Sequence, residues 1–137
     1  MTPEDLERVL REAADEIEGE DGRWQLRLDD VALACMVDVH YDRMRLIAPI
    51  AELDEVSDDV RDACLEANFH TTLDARYATS DGVLYAAFIH PLSSLDAELA
   101  ESALQQVANL VETFGTTFSS GALVFGLPPR GHGGAVN

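Results

Sequence analysis

The chain contains no lysine: its 9 basic residues are all arginine, set against 26 aspartates and glutamates, and the formal charge over 137 residues is −17. A field of that sign repels phosphate backbones and anionic lipid, so neither nucleic acid nor a membrane surface is an expected partner. Long apolar runs are also missing, and none approaches the ~18 residues of a membrane-crossing helix. The opening Met1-Thr2-Pro3-Glu4-Asp5 has neither the basic nor the apolar region of a signal peptide. A cytoplasmic protein is expected. Cysteine is scarce: Cys35 and Cys64 stand far apart without CxxC spacing, which favours buried free thiols over a disulfide or a metal pair.

The residue spacings that chemistry needs are absent as well. His40, His70, His90 and His132 occur singly, with no pair placed to bring two imidazoles onto one face. There is no Gly-x-Ser-x-Gly elbow, P-loop or dinucleotide fingerprint, and Ser119-Ser120-Gly121 has no neighbouring base. Asp29-Asp30 reads as a turn and Asp58-Asp59 as the first turn of a helix, so neither pair needs an acid–base role. Asp38, His40 and Asp42 alternate along one strand and read as a solvated face. No enzyme, cofactor or metal is expected.

What is present is a clear succession of elements. Thr2 before Pro3, Glu4 and Asp5 starts a helix, and Leu6, Val9, Leu10, Ala13 and Ile17 repeat at three and four to give it one apolar stripe ending near Gly19. Three strands follow. The first alternates Trp24, Leu26 and Leu28 with Arg23, Gln25 and Arg27, and the second carries Val31, Leu33, Cys35, Val37, Val39 and Tyr41. The third, through Met44, Leu46, Ala48 and Ile50, is weakened by Pro49. Ser57 caps a second helix with Val60, Ala63, Cys64 and Ala67 inward. A hairpin turns at Asp81-Gly82, and Ser93 or Ser94 opens a last helix with Leu95, Leu99, Ala103, Val107, Leu110 and Phe114 inward and Gly115 at its end. Length and composition suit one α+β domain over residues 1–125, with residues 126–137 a Gly/Pro-rich tail. Its antiparallel sheet has the order α-β-β-β-α-β-β-α.

One strand exceeds what a one-sided sheet requires. Val83-Leu84-Tyr85-Ala86-Ala87-Phe88-Ile89 is apolar on both faces, and Ala32, Ala34 and Met36 repeat this more weakly. The row Leu84, Ala86, Phe88 must be covered, either by a helix of the same chain or by a second molecule.

Within residues 63–114, a helix ends in Ala67-Asn68, a hairpin turns at Ser80-Asp81-Gly82, and Pro91-Leu92 leads into the final helix. This pattern resembles the Tir chaperone family, the small acidic chaperones of bacterial type III secretion, and their chaperone-like relatives. The resemblance implies a homodimer that binds an extended segment of a client protein, without cofactor or catalysis. It implies a partner groove lined by Leu6, Leu10, Trp24 and Leu26, and a dimer interface at Leu65, Phe69, Leu84 and Phe88. A regulatory or adaptor domain of the same fold with no secretion client is the alternative. The Gly/Pro-rich C-terminus departs from the family pattern.

Overall fold

The computed structural model describes residues 1–114, and Gly115 and the tail lie outside them. Helix α1 (Pro3–Ala13) begins in a reciprocal cap: the Asp5 backbone N–H donates to Thr2 Oγ1 at 3.0 Å, and the Thr2 N–H donates to Asp5 Oδ2 at 3.0 Å. It stops earlier than the apolar spacing suggests. Ile17 fits a helical stripe, but it also alternates with Glu16 and Glu18, and the structure takes the second reading as strand β1 (Glu16–Glu20). The cause lies in residues 21 and 22. Asp21 and Gly22 both have positive φ, 55° and 80°, the backbone of a tight hairpin turn that folds β1 onto β2 (Arg23–Leu28).

The same device recurs. Asp29 and Asp30 (φ 51° and 68°) turn β2 into β3 (Val31–Asp38), and Asp81 and Gly82 (φ 49° and 79°) turn β5 (Arg76–Ser80) into β6 (Val83–His90). Strand β3 ends at Asp38, short of the apolar row expected through Val39 and Tyr41. Asp38 Oδ1 accepts the Tyr41 N–H at 3.1 Å, closing a local turn, and those two side chains are exposed. Strand β4 (Arg43–Glu52) tolerates Pro49 by a register shift between Pro49 and Ala51 rather than by ending there. Helix α2 (Asp58–His70) is capped by Ser57, and helix α3 (Ala97–Thr113) by Asp96 rather than by Ser93 or Ser94. Those serines serve elsewhere: Ser93 N–H and Oγ–H both donate to the Asp42 carboxylate, at 2.7 and 2.6 Å, clasping the β3–β4 turn to the segment before α3.

The α+β class holds, with one strand more before α2 than expected: the order is α-β-β-β-β-α-β-β-α. All strands pair antiparallel in one six-stranded sheet, β1-β2-β3-β4-β6-β5. Helix α3 crosses β3, β4 and β6 on one face, α1 packs on α3 and β1, and α2 lies against β5. The core is the layer between helices and sheet, where Leu6, Leu10, Met44, Leu46, Leu84, Leu104 and Val107 are almost fully enclosed. Burying each such side chain contributes roughly 1.5–3 kcal/mol, so this single layer anchors every element.

Candidate functional site

The four residues assigned to a partner groove are core residues. Leu6, Leu10, Trp24 and Leu26 are 0%, 1%, 3% and 4% exposed. The stripe of α1 and the inward row of β2 belong to one buried cluster with α3, so these side chains fill space that a partner would need. Trp24 keeps one polar tie: its indole N–H donates to Glu7 Oε1 at 3.1 Å. Arg11 binds the other oxygen at 2.9 Å, and the two donors together hold the Glu7 carboxyl below its ordinary value.

The dimer residues divide. Leu84 and Phe88 are 1% and 3% exposed, paired on β4 with Ala51 and Leu46 on the helix-covered face, so of the two alternatives for this row it is the chain's own helices that cover it. The assignment fails on parity: in a strand apolar on both faces, only the pairing with β4 decides which row points inward. Leu65 and Phe69 of α2 are 67% and 85% exposed.

The opposite row is the more open one: Ile89 is 54% exposed and Val83 and Tyr85 are half-buried, although Ala87 between them is covered. It belongs to a whole uncovered face. One line across the sheet runs Glu20, Arg23, Met36, Arg45, Ile89, and the next runs Glu18, Gln25, Ala34, Ile47, Ala87, Arg76. The face is thus acidic at β1, carries arginine on β2, β4 and β5, and is apolar along Ala34, Ile47 and Ala87. The secondary apolar row noted at Ala32, Ala34 and Met36 does lie here. Tyr85, Ile47 and Ile89 were missed as site residues, although the two-faced composition of β6 held the signal.

Helix α2 meets the outer edge of β5 through Asn68. The Asn68 amide donates to Tyr77 O at 3.0 Å and accepts from Tyr77 N at 2.7 Å, as a neighbouring strand would at the outer edge of β5. Gln106 Oε1 of α3 accepts Asp74 N–H and Ala75 N–H at 2.9 and 3.0 Å just before the strand. At ~100° per residue, Leu65 and Phe69 lie on the far side of Asn68 from the buried Cys64, on the exposed side of α2. The opposite edge differs. Strand β1 presents Glu16, Glu18 and Glu20, and among the described residues no side chain bonds its outer backbone.

Among the described residues no group of three or more His, Cys, Asp and Glu side chains is gathered as metal ligands would be. Burial pushes the Cys35 and Cys64 thiols up to about 12, far from a reactive thiolate. No helix among the described residues is long and apolar enough to cross a membrane.

No family model matches the sequence, and no curated protein does. Solved structures do match in fold. A chain of the HopA1–SchA chaperone–effector complex aligns at 15% identity and TM-score 0.60, over 80% of this chain and 87% of that one. A chain of the ExsC–ExsE complex aligns at 16% and 0.58, over 79% and 85%. A third, from the Yersinia pestis type III secretion chaperone SycH in complex with a stable fragment of YscM2, aligns at 16% and 0.61, over 82% and 98%. The fold is that of the type III secretion chaperones.

Proposed function

We propose that the protein is a non-catalytic, cytoplasmic, secretion-chaperone-like homodimer that binds an extended segment of a client protein. The observation that carries this reading is the one-sided sheet: helices cover one face, and the other carries a half-open apolar strip, Met36, Ile47, Tyr85 and Ile89 around Arg45, on a chain charged to −17. A second copy covers that strip most economically, because an isologous contact lets one patch meet itself. Leu65 and Phe69 on α2 and Tyr85 and Ile89 on β6 form that contact. The client meets the other end of the sheet. An extended chain adds to a free strand edge by main-chain hydrogen bonds, and β1 offers such an edge where β5 is closed by Asn68 and Gln106. The glutamates along β1 favour a neutral or basic segment there. Fold likeness to chaperone–effector and chaperone–fragment complexes supports the same reading.

Co-expression with the proteins encoded beside its gene, followed by limited proteolysis of what co-purifies, tests this. The expected result is a partner cut back to one protected stretch that has no folded core of its own. A partner retained as an intact folded domain would instead place the protein among regulatory adaptors of the same fold.

A further inference from the structure

The two edges of the sheet differ in chemistry. At β5 the outer backbone is bonded by Asn68, and the residues just before the strand by Gln106. The β1 edge, which no described side chain closes, is straight over a short length only. Gly19 leaves strand backbone with a φ of 124°, and a Cβ there would lie 2.2 Å from the Arg23 carbonyl oxygen, so the position requires glycine. The regular edge open to an incoming chain is therefore Glu16, Ile17 and Glu18.

Those residues present two different surfaces. Ile17 pairs with the buried Leu26 and so points to the helix-covered face, where α1 packs on β1 and leaves it half-buried. Glu16 and Glu18 point to the open face, and the register gives them unlike neighbours. Glu16 lies opposite Arg27, as Glu20 lies opposite Arg23, but Glu18 lies opposite the uncharged Gln25. The open face dips at this point into a shallow hollow of about 210 Å³, lined by Glu16, Glu18, Gln25, Arg27 and the small Ala32 among others. On a strand added to β1, a side chain opposite Glu18 has its Cβ about 4.5–5.5 Å away on the same face. The stem of a lysine or arginine there can lie in the hollow with its cation against Glu18. The next residue of the added strand points to the other face, beside Ile17, where an apolar side chain completes a half-finished cover.

We propose that β1 selects client segments carrying a basic residue next to an apolar one, the basic side chain seated beside Glu18 in the hollow and the apolar one beside Ile17; this rests on the reading of β1 as the client edge. Two short peptides of identical composition test it, each alternating threonine and valine around one central lysine. In the first the lysine stands in the threonine row, flanked by valines; in the second the rows are exchanged and threonines flank it. Equal net charge cancels the general pull of a chain at −17. Fluorescence anisotropy on the full chain should show the first peptide binding roughly two- to fivefold tighter, the weight of an opposite-charge cross-strand pair. Hydrogen exchange should slow in β1 and not in β5. Glu18→Gln should remove the preference, whereas Glu16→Gln should keep it. Absence of binding, equal affinities, a preference that survives Glu18→Gln or is lost equally in Glu16→Gln, or protection elsewhere than β1 would each overturn the proposal. If the co-expression experiment then still yields a client with one protected stretch, the client reading stands and only this site falls.

Discussion

Replacing Asn68 by alanine removes the side chain that stands in for a missing seventh strand. Its amide makes two hydrogen bonds to the Tyr77 backbone, at 2.7 and 3.0 Å, in a half-buried setting. A typical intramolecular hydrogen bond contributes a net ~0.5–1.5 kcal/mol, so losing both should cost about 1–3 kcal/mol. Alanine returns up to ~0.7 kcal/mol of helix propensity, although position 68 is close to the end of α2, where the return is smaller. The expected net destabilisation is therefore about 1–2 kcal/mol, read from urea unfolding at fixed protein concentration. Asn68→Asp is the informative companion. A carboxylate still accepts from the Tyr77 N–H but cannot donate to the Tyr77 carbonyl and sets negative charge against it, so it should be no more stable than the alanine variant. Both should aggregate more readily, because the β5 edge is no longer closed. An alanine variant within about 0.5 kcal/mol of wild type, the range of an ordinary surface change, would refute the edge-closing role.

Leu10→Ala removes a side chain only 1% exposed under α1 and should cost about 2–5 kcal/mol; an unchanged denaturation midpoint would return Leu10 to a surface role. Cys35 and Cys64, both buried with thiols pushed up to about 12, should resist alkylation at neutral pH until the protein unfolds, and rapid labelling of either in the native state would contradict their placement. The Asp42 carboxyl sits below its ordinary 3.8, chiefly through the Ser93 side-chain hydrogen bond and then the Ser93 backbone one. Its contribution to stability is therefore present above pH 3.8 and lost as pH falls through the lowered value. Asp42→Asn should flatten the acid limb of the stability profile, and an unchanged limb would show that the clasp carries no protonation energy.

Much of the fold could be read from local chemistry. Thr2, Ser57 and the Asp81-Gly82 turn all act as their residue types require, and the inward row of β2 follows from spacing alone; on α3 the spacing finds Ala103, Val107 and Leu110 but misses the buried Ala100, Leu104 and Ala108. The failures share one cause, a segment whose composition satisfies two periods or two faces. Ile17 fits both a helical stripe and an alternating strand, and only the Asp21-Gly22 turn and the pairing with β2 choose between them. Leu84 and Phe88 are as apolar as Tyr85 and Ile89, and what turns the former inward is the register with Leu46 and Ala51 on a strand distant in sequence. The candidate site inherited that ambiguity. Its elements, α2 and the strand before the last helix, could be named from sequence, but the exposed row on the strand could not. Leu6, Leu10, Trp24 and Leu26 came from resemblance alone, and an apolar stripe carries no mark that separates the floor of a core from the wall of a groove.

The central claim is that the open sheet face, not the helix-covered one, joins two copies of the chain. Sedimentation velocity at micromolar concentration on wild type, Ile89→Asp and Phe88→Asp tests it directly, with far-ultraviolet circular dichroism on the same samples. Ile89 is 54% exposed and its neighbour Phe88 is 3% exposed, so the two substitutions place one charge on opposite faces of β6. The account predicts a wild-type dimer, a monomeric Ile89→Asp with unchanged helix content, and an unfolded Phe88→Asp, since an unpaired charge buried in the core is not tolerated. A monomeric wild type, or an Ile89→Asp that sediments as a dimer, would contradict it.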